Sequence, residues 1–219
     1  MKIKIEYIFL FLIILLAGGL RFYKLGSIPA GFFNDEAAVG YNAYSILKTG
    51  KDEFGKTLPL FFTSFGEGKL PMYVYQAVLP VAIFGLNEFA SRFAGAFFGT
   101  LAVVILYFFT QESLIVCRPK RTDKFYKCLL KWLPLISSLM LAIMPWHIHF
   151  SRGVFGQESL FWIILGSWLF LRALRVDKLI LWVGSFGAFS MALLTYHGPK
   201  AFVPLWLLVL LVLYFKKTN

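Results

Sequence analysis

Asn34-Asp35-Glu36 sets two adjacent carboxylates in a polar stretch just beyond the first apolar run of the chain. The segment leaves an aromatic, basic collar at Arg21-Phe22-Tyr23-Lys24, passes a Pro/Gly turn at 29–31 and opens a new helix. A carboxylate at a water–lipid boundary is suited to take the proton of a hydroxyl that attacks a lipid-borne group. Two further segments of the same polarity carry ions among apolar residues. These are Phe150-Ser151-Arg152-Gly153-Val154-Phe155-Gly156-Gln157-Glu158 and Tyr196-His197-Gly198-Pro199-Lys200; Lys69 adds a third cation before Leu70-Pro71-Met72-Tyr73. Ionisable groups near membrane depth are costly and mark functional sites. Asp35, Lys69, Arg152, Glu158 and Lys200 are therefore expected around one cavity. The structural alternative is equally concrete. Acids favour helix N-termini, so capping by Asn34 or Asp35 accounts for one of the two carboxylates. Arg152 and Glu158 are close enough in sequence to pair across a turn.

The elements that must position these groups are helices in lipid. Of the 219 residues 59% are hydrophobic and 15% charged, against about 45–50% apolar in soluble domains. Mean hydropathy is +0.73. Apolar runs at 7–20, 93–109, 132–146, 159–171, 179–196 and 201–215 approach the roughly 17–25 residues of a spanning helix, with aromatic and lysine flanks extending the shorter ones. The fold class is all-α, a polytopic transmembrane helical bundle with an uncleaved first helix. The net charge of +11 follows the membrane. Arg118, Lys120, Arg121, Lys124, Lys127 and Lys131 crowd one loop and Arg172, Arg175 and Lys178 another, while Lys2, Lys4, Lys216 and Lys217 mark the ends. The positive-inside rule puts all of these in the cytoplasm, and no nucleic-acid partner is expected. This requires an odd number of crossings between residues 20 and 118, which the run at 93–109 supplies alone. The stretch Leu70–Leu86, interrupted by Pro71 and Pro80, is therefore read as interfacial. Residues 21–92 become one large external loop carrying interfacial helices.

Within that loop, Glu36–Leu47 reads as an amphipathic helix with Ala37, Gly40, Tyr41, Tyr44 and Leu47 on its apolar stripe. Lys48 suits its last turn and Gly50 its stop. Cys117 and Cys128 fall in the basic loop, where a disulfide is not expected. His147-Ile148-His149 reads as interfacial polar histidines. The sequence has no Cys/His cluster with zinc spacing, no phosphate-cradling Gly-rich loop and no Gly-x-Ser-x-Gly elbow. No metal site and no cofactor are expected.

Asp35-Glu36, then Gly68-Lys69-Leu70-Pro71-Met72-Tyr73, then Asn87-Glu88-Phe89-Ala90-Ser91-Arg92-Phe93, then His149-Phe150-Ser151-Arg152 with Glu158 form an ordered set. It resembles the polytopic GT-C glycosyltransferases. The likeness is greatest to the protein-mannosyltransferase branch, which includes bacterial lipid A aminoarabinose transferases and the RgtA/B/C/D-like enzymes. The chain departs from their pattern in having Leu70-Pro71 in place of a proline pair, and Gly68 where some members place an acid. The resemblance implies an inverting transfer of a sugar from a polyprenyl-phosphate-linked donor to a hydroxyl of a glycolipid, envelope glycan or protein. It implies Asp35 as base and Lys69 on the carrier phosphate; the chemistry of the residues adds Arg152 and Lys200 as further cations and Glu36 and Glu158 to orient sugar hydroxyls or hold those cations. It also implies a bacterial or archaeal plasma membrane, a cytoplasmic N-terminus and an external site. Members are typically at least twice this length, so the chain is expected to be an N-terminal portion of a longer enzyme. Two other classes remain open: a transporter or lipid-carrier flippase, and a catalytically inactive truncated remnant. Charges gathered on one face, with spans nearly free of them, favour an enzyme over a conduit.

Overall fold

The computed structural model describes residues 5–64, 66–117 and 124–218; Lys2, Lys4, Arg118, Lys120 and Arg121 lie outside them. The elements run α1 (Ile5–Phe22), α2 (Asn34–Thr49), β1 (Phe62–Ser64), β2 (Glu67–Lys69), α3 (Pro71–Phe84), α4 (Glu88–Val116), α5 (Lys124–Ile143), α6 (Pro145–Phe150), α7 (Glu158–Val176), α8 (Leu179–Thr195) and α9 (Pro199–Thr218). The chain is an all-α polytopic membrane protein. Its only described strands form a small antiparallel hairpin that pairs Phe62 with Lys69 and Ser64 with Glu67.

Helices α1, α4, α5 and α7 are long and apolar enough to cross a membrane. The apolar parts of α3, α8 and α9 are shorter. Leu10, Ile13, Ala17, Ala102, Val103, Tyr107, Leu135, Leu141 and Phe161 form the central core of α1, α4, α5 and α7. A second core joins α7 to α8 and α9 through Phe170, Leu171, Phe189, Ala192, Val203 and Leu210. At one end of the bundle Glu112 of α4 accepts from Arg175 of α7 at 2.5 Å, with Arg172 at 3.8 Å. Two of the arginines expected to mark topology thus also bind helix to helix.

The 21–92 segment leaves the C-terminus of α1 and re-enters at the N-terminus of α4, so it sits at the opposite end of the bundle. It has its own core: Val39, Ala43 and Ile46 of α2 pack with Phe62, with Tyr73, Val74, Ala77 and Val81 of α3, and with Ala90 of α4. This corrects the expected stripe of α2. Residues 39, 43 and 46 face inward, while Ala37, Tyr41, Tyr44 and Leu47 are exposed. Gly40 is the one expected position that is buried, because a Cβ there would collide with the Ser91 side chain of α4. Two apolar faces compete on this helix, and the buried one carries Glu36 inward with it. Gly50 ends α2 with φ 69°, and its N–H donates to the Ile46 carbonyl. Asn87 caps α4, its side chain accepting from Ala90 N–H at 2.9 Å.

Helix α3 has 14 residues, about 21 Å at 1.5 Å per residue, against a hydrocarbon core of about 30 Å. The exposed positions 60 and 88 flank it in sequence and serve as reporters. With Cys117 and Cys128 changed to Ser, cysteines introduced as Leu60→Cys and Glu88→Cys are expected to react with a membrane-impermeant maleimide from the same, outer side. Labelling of the two from opposite sides would make α3 a crossing.

Candidate functional site

The chain leaving α1 has ended one helix without starting another, so its carbonyls need donors. Arginines from distant elements supply them. Arg152, which follows α6 and is 7% exposed, donates through one terminal nitrogen to the carbonyls of Leu20 (2.8 Å) and Arg21 (3.1 Å). Its other donates to those of Tyr23 (2.7 Å) and Ile28 (2.8 Å). Arg92 on α4 donates to the carbonyls of Leu25 (3.1 Å), Pro29 (3.2 Å) and Gly31 (2.6 Å). It also binds both oxygens of Glu36, Nε to Oε1 at 2.9 Å and Nη2 to Oε2 at 2.8 Å. Arg21, fully buried, donates to the carbonyls of Ala17, Leu141 and Ala142 and to His147 Nδ1 at 2.6 Å.

These contacts separate the two adjacent acids. Glu36 is 3% exposed, holds Arg92, and accepts the Phe33 N–H at 3.1 Å. Phe33 is the residue at the N-cap position. The expected cap by Asn34 or Asp35 is therefore replaced by a carboxylate reaching back from the third helical residue. Asp35 has no part in the cap. It pairs with Lys69 of β2, with the two side chains 42% and 18% exposed. Both line a cleft of about 250 Å³ whose walls include Glu67, Leu70, Tyr73, Val74, Val154, Tyr196 and His197. The α1–α4 insertion, the segment before α7 and the α8–α9 turn thus meet at one opening.

Of the five ions expected around one cavity, Asp35 and Lys69 line it. Arg152 does not, since its terminal nitrogens are engaged with carbonyls of residues 20–28. Its expected pairing with Glu158 is likewise absent among the described residues. Glu158, at the start of α7, is fully buried behind the cleft with neither oxygen bonded among the described residues. Tyr73 lies between: its hydroxyl donates to the Gly153 carbonyl at 2.9 Å. Burial, and then the neighbouring Glu158 carboxylate, raise that hydroxyl's pKa well above its usual value. Lys200 stands at the rim, 3.3 Å from His197 Nδ1, while His197 Nε2 is 3.3 Å from the Gly68 carbonyl.

Two participants escape a reading of the sequence. Arg92 looks like an ordinary charge at a helix start, and nothing local announces a partner 56 residues away. His147, expected at an interface, is fully buried. Because arginine only donates, His147 Nδ1 must accept. Burial, and then Arg21, push its pKa down to about 3.

Comparison with known proteins finds a similarity to undecaprenyl phosphate-alpha-4-amino-4-deoxy-L-arabinose arabinosyl transferase 1 of Pseudomonas fluorescens. The chain is similar to it at 32% identity over 102 residues, which cover 40% of this chain and 18% of that protein. No protein-family model matches the sequence, and no solved structure gives a significant match.

Arg92→Met leaves the Glu36 carboxylate buried and unpaired. It is expected to destabilise the detergent-solubilised protein by about 3–5 kcal/mol, and the double change Arg92→Met/Glu36→Leu to recover most of the loss; thermal unfolding measures both. Unfolded His147 titrates near 6.5 and folded His147 near 3. The stability attached to its neutral form is thus fully present above about pH 6.5 and is lost as the pH falls toward 3. A His147→Gln variant, whose side chain still accepts from Arg21, is expected to show a flatter melting temperature than the parent between pH 7 and 4.

Proposed function

We propose that this end of the bundle faces outward and carries the site of a membrane glycosyltransferase that uses a polyprenyl-phosphate-linked sugar. The observation that carries the reading is the division of labour between neighbours. Glu36 is engaged in structure, while Asp35 is freed from capping and held with Lys69 at the mouth of a cleft. The similarity to the arabinosyl transferase supports the same class. The basic residues of the opposite end support an outward orientation for this one.

An acceptor hydroxyl attacks the anomeric carbon, and its O–H proton passes to Asp35. The bond from that carbon to the phosphate oxygen breaks on the opposite face. The lipid phosphate leaves with the electron pair, and the configuration inverts. Lys69 is shared between two anions. Without substrate it neutralises Asp35; with the donor seated it turns to the phosphate, whose growing charge it stabilises. That exchange releases Asp35 to act as base. Lys200 and His197, at the rim, are the next groups in reach of the phosphate. Arg152 has no donor left to turn to it at either terminal nitrogen. Acceptors of the class are a glycolipid, an envelope glycan or a protein. The lipid-linked sugar enters as a substrate rather than as a cofactor.

Asp35→Asn keeps the shape of the side chain and leaves the cap untouched. Folding and membrane insertion are expected to persist while transfer falls by about 10²–10⁴. Lys69→Ala is expected to weaken use of the lipid-phosphate donor by roughly 1.5–3 kcal/mol. Transfer from a radiolabelled polyprenyl-phosphate sugar, measured in the full-length protein, reads both. Near-normal transfer by the Asn variant would sink the base assignment, and unchanged donor use by the Ala variant would return Lys69 to a structural ion pair.

A further inference from the structure

A second cleft, of about 350 Å³, opens on α2 beyond the first and is lined by Ala37, Ala38, Tyr41, Glu53, Phe54 and Ser64. Ala37 and Ala38 stand two and three residues after Asp35, about 3–5 Å further along the helix axis. Two rings at the cleft are open to solvent, Tyr41 at 52% and Phe54 at 63% exposure. Between them in the chain is a carboxylate held in place. Glu53 Oε1 accepts from Asn42 Nδ2 at 2.9 Å, and the Glu53 N–H donates to Asn42 Oδ1 at 3.1 Å. Asn42 is itself 2% exposed, and its Nδ2 also donates to the Ala38 carbonyl. The second oxygen of Glu53 has no bonded partner among the described residues, so the carboxylate is oriented yet still able to accept.

We infer that this cleft binds a saccharide, the sugar end of the acceptor whose hydroxyl is presented to Asp35. The inference rests on the transferase reading and adds the acceptor's chemistry to it. A pyranose offers an apolar C–H face to an aromatic ring and hydroxyl or amino donors to a carboxylate, and the cleft offers the complement of each. A lipid surface is the poorer match for the same rings. A carboxylate fixed in the same cleft would be held against hydrocarbon or anionic head groups, where it is penalised. The buried stripe of α2 explains why Tyr41 faces outward: the helix is already anchored by Val39, Ala43 and Ile46 on its other side, leaving this face to a ligand.

Saturation-transfer difference NMR on the full chain in detergent tests the cleft without requiring turnover. The probes are methyl glycosides of glucose, mannose, galactose and N-acetylglucosamine, together with glucosamine. At least one probe is expected to receive saturation. Tyr41→Ala and Phe54→Ala are each expected to weaken it about tenfold. Glu53→Gln, which keeps the contact with Asn42 but removes the charge, is expected to weaken glucosamine most. Asp35→Asn retains the signal, so a wrong base assignment and a wrong cleft are told apart. No saturation of any probe, or saturation that survives both ring deletions, overturns the inference. So does a spin label at Phe54→Cys, with Cys117 and Cys128 changed to Ser, that relaxes more with oxygen than with a water-soluble nickel chelate in a bilayer. That result assigns the face to lipid.

Discussion

A helix that stops leaves its last carbonyl groups without intrahelical partners, and the end of this protein that carries residues 21–92 is organised around that deficit. Seven carbonyls between residues 20 and 31 are met by the forks of Arg152 and Arg92. Guanidinium suits the task because it is planar and carries five donors in a fixed fork. Each arginine comes from a different helix start or helix connection, so the irregular segment is tied to α4 and to the chain before α7 at once. Glu36 closes the arrangement by supplying the negative charge that a buried Arg92 requires. A lysine at position 92 would supply one charge but not the several directed bonds.

This framework determines what the neighbouring acid can do. Successive helical residues turn by about 100°, so anchoring Glu36 inward on Arg92 directs Asp35 elsewhere. It points to the β-hairpin and Lys69. The hairpin is brief, yet it brings Lys69 beside α2 across 34 residues of sequence. Gly40 lets α2 approach α4 closely enough for both relationships to hold. Tyr73 and the buried Glu158 lie behind the opening, and the α8–α9 turn lies across its rim. Local backbone chemistry, helix rotation and site geometry are thus physically coupled.

Much of the bundle was legible because lipid imposes long apolar runs, and because Gly50 has a local, recognisable role at a helix end. Asp35 and Lys69 were legible as an acid and a cation on one polar segment. What was not legible depends on contacts far apart in sequence. The pairing of Glu36 with Arg92, the buried acceptor role of His147 and the consumption of Arg152 by backbone carbonyls leave no periodic signature. The face of α2 was misread for a related reason. Tyr41, Tyr44 and Leu47 make as good an apolar stripe as Val39, Ala43 and Ile46, and only the partners decide which is buried.

In the proposed mechanism the opening shared by Asp35 and Lys69 receives the phosphate end of a lipid carrier. Photo-crosslinking with a short polyprenyl phosphate bearing a diazirine next to the phosphate, mapped by mass spectrometry on the protein in lipid nanodiscs, tests it most directly. Adducts are expected on Leu70, Tyr73, Val154 or Tyr196, which line that opening. Adducts confined to the apolar groove of Phe9, Leu12, Trp132 and Leu139 between α1 and α5 would contradict it.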